Sequence, residues 1–163
     1  MAAVCTFILL AMFGFSFLQP ESDKPLFDGF VITAYAADGT PVEVKPNVGF
    51  PLGMYQMTMS RVPGFPINIV SGEADVISLQ ATDGSFLLWT PPDSKVVDKG
   101  KQIDIKSGDT IYWTPTNDDD FRTIASTSSI EVIAYQNDKE LGRRTIEINR
   151  KDDYSYSGIL VEK

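Results

Sequence analysis

The sequence has no histidine, and of its 163 residues only Cys5 is a cysteine. Histidine is the side chain that changes charge near neutrality without help, and it is the commonest metal ligand. Its absence excludes Ser-His nucleophile pairs. Because Cys5 stands so near the N-terminus, zinc sites built on Cys or His, thiol nucleophiles and disulfides are excluded from the rest of the chain. An excess of positive charge is missing too: 14 Lys and Arg stand against 22 Asp and Glu, a net charge of −8. The densest basic cluster is Arg143, Arg144, Arg150 and Lys151. Such a chain is a poor partner for the phosphates of a nucleic acid or for an anionic membrane surface. Beyond the N-terminus there is also no run of ten residues with apolar spacing of three and four, so no amphipathic helix is expected.

What is present begins with one apolar run, Ala2 to Leu18, ended abruptly by Gln19, Pro20, Glu21, Ser22, Asp23 and Lys24. An apolar stretch of that length at the extreme N-terminus reads as a secretory signal, with small residues at Gly14 and Ser16 suited to cleavage after Ser16. Left uncleaved, it is near the lower length of a membrane anchor. The expected organisation is a signal or anchor over 1–18, a polar linker over 19–27 and one folded domain over 28–163. About 140 residues suit one hydrophobic core better than two. The expected location is secreted or cell-surface, with membrane attachment through the N-terminal segment alone.

The remainder alternates apolar and polar residues in short runs broken by Gly, Pro, Asn and Asp. That is the mark of β-strands packed as a sandwich or barrel. Candidate strands are 29–36, 41–45, 54–60, 67–70, 74–80, 85–90, 102–106, 109–114, 129–136, 143–148 and 155–161. Two hairpins stand out. Phe30 to Tyr35 turns through Asp38-Gly39 into Val42-Glu43-Val44, the dipeptide supplying the positive φ angles of a tight turn. Ile130 to Tyr135 turns through Asn137-Asp138 into Thr145 to Ile148, where Ile146 and Ile148 share one face and Glu147 takes the other. Strand 130–135 is apolar on both faces and so should be central. Prolines 51, 63 and 66 cannot donate to a ladder, which places 48–69 at an edge or in long loops. Gly84 to Pro91 and Gly108 to Pro115 echo each other, each bringing a tryptophan before Thr-Pro.

Lys101 to Trp113 resembles the middle strands of bacterial immunoglobulin-like domains, and Ser129 to Ile148 resembles their closing hairpin. The resemblance covers about residues 100–150. It implies an all-β fold, a single immunoglobulin-like antiparallel β-sandwich, and exported scaffolding, adhesion, sensing or binding roles. The antibody-type cysteine pair is absent, as is a tyrosine near 129 where a tyrosine corner would need one.

Four constellations could carry chemistry. Asn117, Asp118, Asp119 and Asp120 cluster oxygen ligands on one loop and could hold calcium, although adjacent acids point apart and a solvated turn is the plainer account. Met54, Met57 and Met59 offer thioethers suited to Cu(I), or adaptable core packing. Trp89, Trp113 and Tyr112 could form a platform for sugar rings, whereas at least one tryptophan is expected to fill the core. Phe50 and Phe65 could be exposed contact residues, or could plug an open end of the sandwich. Carboxylates are plentiful but stand in no catalytic motif. No catalytic residue and no cofactor beyond a calcium candidate is expected. The function expected is a non-catalytic extracytoplasmic interaction module of a bacterial envelope or secreted protein, its protein or glycan partner unnamed. The alternatives are a carbohydrate-binding module and a carboxylate-dependent envelope hydrolase.

Overall fold

The structure, a computed structural model, describes residues 29–55, 64–90, 95–117, 120–151 and 153–161. The leader and linker expected over 1–27 lie outside them, as do Met57, Met59, Asp118 and Asp119. Fourteen strands and no helix are found among the described residues. The first six-stranded sheet holds β1 (Phe30–Tyr35), β2 (Pro41–Glu43), β4 (Phe65–Ser71), β6 (Ser85–Thr90), β7 (Lys95–Gly100) and β9 (Thr110–Thr114), in the order β2-β1-β4-β9-β6-β7. The second holds β3 (Gly49–Met54), β5 (Val76–Ala81), β8 (Gln102–Ile105), β12 (Thr127–Gln136), β13 (Lys139–Arg150) and β14 (Ser155–Val161), in the order β3-β14-β13-β12-β5-β8. A short third pair joins β10 (Thr116–Asn117) to β11 (Asp120–Ile124). The named strands pair antiparallel throughout.

Alternation decides which residues meet between the sheets. From the first sheet Ile32, Ile67, Ile69, Phe86, Ile111 and Trp113 point inward. From the second, Ile77, Leu79, Ile130, Val132, Ile146 and Ile148 meet them, all at most 2% exposed. Each such side chain, taken from water to the interior, contributes about 1.5–3 kcal/mol. The two hairpins legible in the sequence are the β1–β2 and β12–β13 pairs. In the second, Asn137 and Asp138 both take positive φ, as the tight turn requires. Strand β12, apolar on both faces, lies between β13 and β5, inside its sheet.

The proline-rich stretch divides. Strand β3, with Pro51, is an edge of the second sheet, where a missing N–H costs no ladder bond. Strand β4, with Pro66, is instead an interior strand of the first sheet, contrary to the expectation for 48–69. The reason is local. The β1 ladder ends at Ala34–Ile67, so Pro66 stands one residue beyond it, at the start of its strand.

Candidate functional site

The sequence candidates scatter across the fold. Trp113 is fully buried, its indole N–H donating to the Asp83 carbonyl at 3.2 Å. It stacks on Phe65 with ring centroids 6.1 Å apart and meets Tyr156 edge-on at 5.9 Å. Phe65 and Phe50 are each 5% exposed. These three rings fill the interior and are not surface contact residues, because each sits at an inward position of its strand. Phe50 lies over Gly158, its cross-strand partner. Tyr156, which carried no sequence motif, donates its hydroxyl to the buried Ala125 carbonyl at 2.6 Å, and burial pushes its phenol above the ordinary value.

Asn117 is engaged in a turn. Its side-chain oxygen accepts the Gly84 N–H at 3.0 Å, and its amide donates to the Asp83 carboxylate at 2.9 Å. Asn117, the Gly84 N–H and Lys101 together hold the Asp83 carboxyl below its usual range. The backbone of Asp120 pairs with Asn117 across the short hairpin, and its side chain lies outside the description. Among the described residues no group of three or more His, Cys, Asp or Glu is placed to hold a metal. Met54 ends β3, half exposed at 51%. A shallow groove of about 460 Å³ is lined by Asp75, Asp104, Asp138, Tyr135 and Gln102 among others. There the Asp75 carboxylate accepts the Asn137 N–H at 2.8 Å.

Trp89 and Tyr112 are different. They turn away from the core, on the outer face of the first sheet. Tyr112 is flanked in register by Pro66 on β4 and Leu87 on β6, so these three share a face. Tyr35, one step beyond the Ala34–Ile67 pair, extends the row toward Pro41, and Asp98 closes it opposite Leu87. A second row runs from Glu43 through Thr33, Asn68 and Thr110. Trp89, two residues beyond Leu87, continues it to Val96. At one end of this face, Val31 pairs with Val70.

The face is notable for what it omits. On its four inner strands, β1, β4, β9 and β6, the outward positions in these rows carry no charge, and Glu43 and Asp98 stand at its two flanks. Val31, Val70 and Val96 are 48%, 47% and 47% exposed. Leu87, 8% exposed, is covered on its own face. Burial, with the nearby Tyr35 phenol, raises Tyr112 above its ordinary value. The opposite sheet presents water with a charged outer face. There Arg143 bonds Glu131 at 2.8 Å and grips Glu140 through two contacts of 2.9 Å.

The aromatic geometry bears on sugars. Trp89 meets Tyr112 at 5.8 Å with an interplanar angle of 78°. The rings are edge to face, the arrangement that aromatic pairs favour among themselves, and they do not present one plane to a pyranose.

Searches against protein-family models, curated proteins and solved structures find no match for the chain.

Proposed function

We propose that the protein is a non-catalytic interaction module of the immunoglobulin-like kind, exported from the cell, that binds another protein through the uncharged outer face of its first sheet. Strand order supports the immunoglobulin-like reading. Taken as A to G, strands β1, β4, β5, β6, β9, β12 and β13 lie in the orders A-B-E-D and C-F-G, those of the constant-type immunoglobulin sandwich. Strands β2 and β7 then widen one sheet, and β3, β14 and β8 the other. Export rests on the apolar run over 2–18.

The observation that carries the functional reading is the contrast between the two outer faces. In a chain 22% charged, four adjacent strands put valine, tyrosine, tryptophan, proline and threonine outward. Exposed apolar surface rimmed by charge is what a protein docking site needs. Ring planes at 78° serve a protein contact better than a sugar platform.

A photo-crosslinking residue placed at Val70, and in a second variant at Glu147 on the other sheet, tests the reading in the exporting cell. Adducts to protein are expected from position 70 and not from 147. Equal yields would overturn the proposal. A sugar bound on a glycan array and lost in Trp89→Ala would replace it with the carbohydrate-binding reading.

A further inference from the structure

We infer that the partner at this face is a second copy of the same chain, joined in a face-to-face two-fold dimer. The inference rests on the protein-docking reading above and adds the partner's identity.

Charge carries the argument. Each copy bears −8, so two copies repel, and least where the touching surfaces add no charge of their own. An isologous contact is stricter still: a charge near the two-fold axis meets its own image. A face for a different partner has no such requirement and gains specificity and association rate from complementary charges. The outer face of β1, β4, β9 and β6 meets the condition for self-contact.

The flanking acids choose the axis. A two-fold running across the strands at the middle row of the face would lay β2 on β2 and set Glu43 against the Glu43 of the other copy. A two-fold running along the strands lays β2 of one copy over β7 of the other. Glu43 then meets the level of Val96, and Asp98 the level of Pro41, as the two rows of the face dictate. Neither carboxylate confronts its image, and the aliphatic Val96 and Pro41 receive them at the rim.

Area is sufficient. Six strands about 4.8 Å apart, from the three residues of β2 to the seven of β4, project to roughly 500 Å². The accessible area of a corrugated face exceeds its projection, which brings it near the ~800 Å² per partner of a standard interface.

Sedimentation velocity on the full chain, expressed with its leader and purified in the form that accumulates, tests this. A concentration-dependent dimer is expected, and added NaCl should tighten it by screening the repulsion of like-charged copies. Val70→Lys should weaken it roughly a hundredfold, because one substitution removes two valine burials across a two-fold. Glu147→Lys should leave it unchanged. Circular dichroism of Val70→Lys checks that the sandwich persists, and the salt response of the unaltered protein stands without any variant. A monomer at every concentration, a dimer loosened by salt, or one indifferent to Val70→Lys would overturn the inference. If the photo-crosslinker at position 70 still captures a different protein in that event, the docking reading survives alone; if it captures nothing, both fail.

Discussion

Tyr156 belongs to the second sheet, yet its hydroxyl reaches the backbone that leads from β11 into β12, and its ring packs at 5.3 Å on Phe65 of the first sheet. One side chain thus ties three parts of the fold by packing and by a buried hydrogen bond. Tyr156→Phe keeps the ring and removes the donor, leaving the Ala125 carbonyl unsatisfied in the interior. A loss of about 1–2 kcal/mol is expected, seen as a lower urea midpoint at unchanged slope. An unchanged midpoint would mean that the hydroxyl contributes nothing. This residue does not stand out in the sequence because an isolated tyrosine in an alternating strand has no local signal; its partner is 31 residues away. The tryptophans make the same point in reverse. Gly84 to Pro91 and Gly108 to Pro115 look equivalent by composition, but the register pairs Phe86, not Trp89, with Trp113. One tryptophan faces the core and its apparent counterpart faces out. Parity relative to the buried residues decides this, and composition does not carry parity.

At the scale of elements, strands rich in isoleucine and valine or with alternating polarity were legible: β12, β13, β5, β8 and β1 match their expected segments within a few residues. Strand β3 was not, because Gly49-Phe50-Pro51-Leu52-Gly53 lacks β-branched residues and contains a proline. What makes it a strand is tertiary. Phe50 lies against Gly158, and the bare Cα of that glycine leaves room for the ring. A Cβ at position 158 would collide with the far edge of Phe50. Gly158→Ala is therefore expected to displace Phe50 and cost about 1–3 kcal/mol, with the added effect of loosening β3 first. Hydrogen exchange checks this: amides of β3 and β14 should lose protection ahead of the β12–β13 hairpin. Uniform loss would show that β3 is no separate cooperative unit. Strand β7 was missed for a related reason. Lys95, Asp98 and Lys99 make it read as a loop, while charge is what an exposed edge needs to resist pairing with another molecule's edge. The uncharged outer face was half legible. Trp89 and Tyr112 were candidates from their residue type, but the uncharged surface around them draws on four strands distant in the chain, and no local window contains it.

For the whole molecule, the lack of histidine and the placement of the carboxylates together fix the pH response. No side chain of the described domain titrates unperturbed between the carboxylates and the tyrosines, so unfolding free energy should be level from about pH 5.5 to 7.5. Four carboxyls are held below their ordinary values, each by a local donor. Asp38 is held by the Thr40 N–H, Asp83 by Asn117 first and then by Gly84 and Lys101, Glu140 by Arg143, and Asp153 by Ser155. A carboxyl whose folded pKa is depressed binds protons less readily than in the unfolded chain. Its contribution is complete above the unfolded values of 3.8 for Asp and 4.5 for Glu, and is lost as pH falls through the lower folded values. Stability should therefore decline below about pH 4.5. Neutralising the −8 net charge acts the other way by relieving self-repulsion, so the wild-type curve alone mixes two effects. Asp83→Asn separates them. It changes net charge by one unit and removes the carboxylate that accepts from Gly84 and Asn117, while the backbone carbonyl that holds Trp113 and Ser128 stays in place. The variant is expected to be less stable at pH 7, with the gap to the wild type narrowing toward pH 2 as Asp83 takes up a proton. Urea midpoints measured at both pH values decide it. A gap of equal size at the two would mean that the Asp83 charge plays no part, and that shape alone holds the turn.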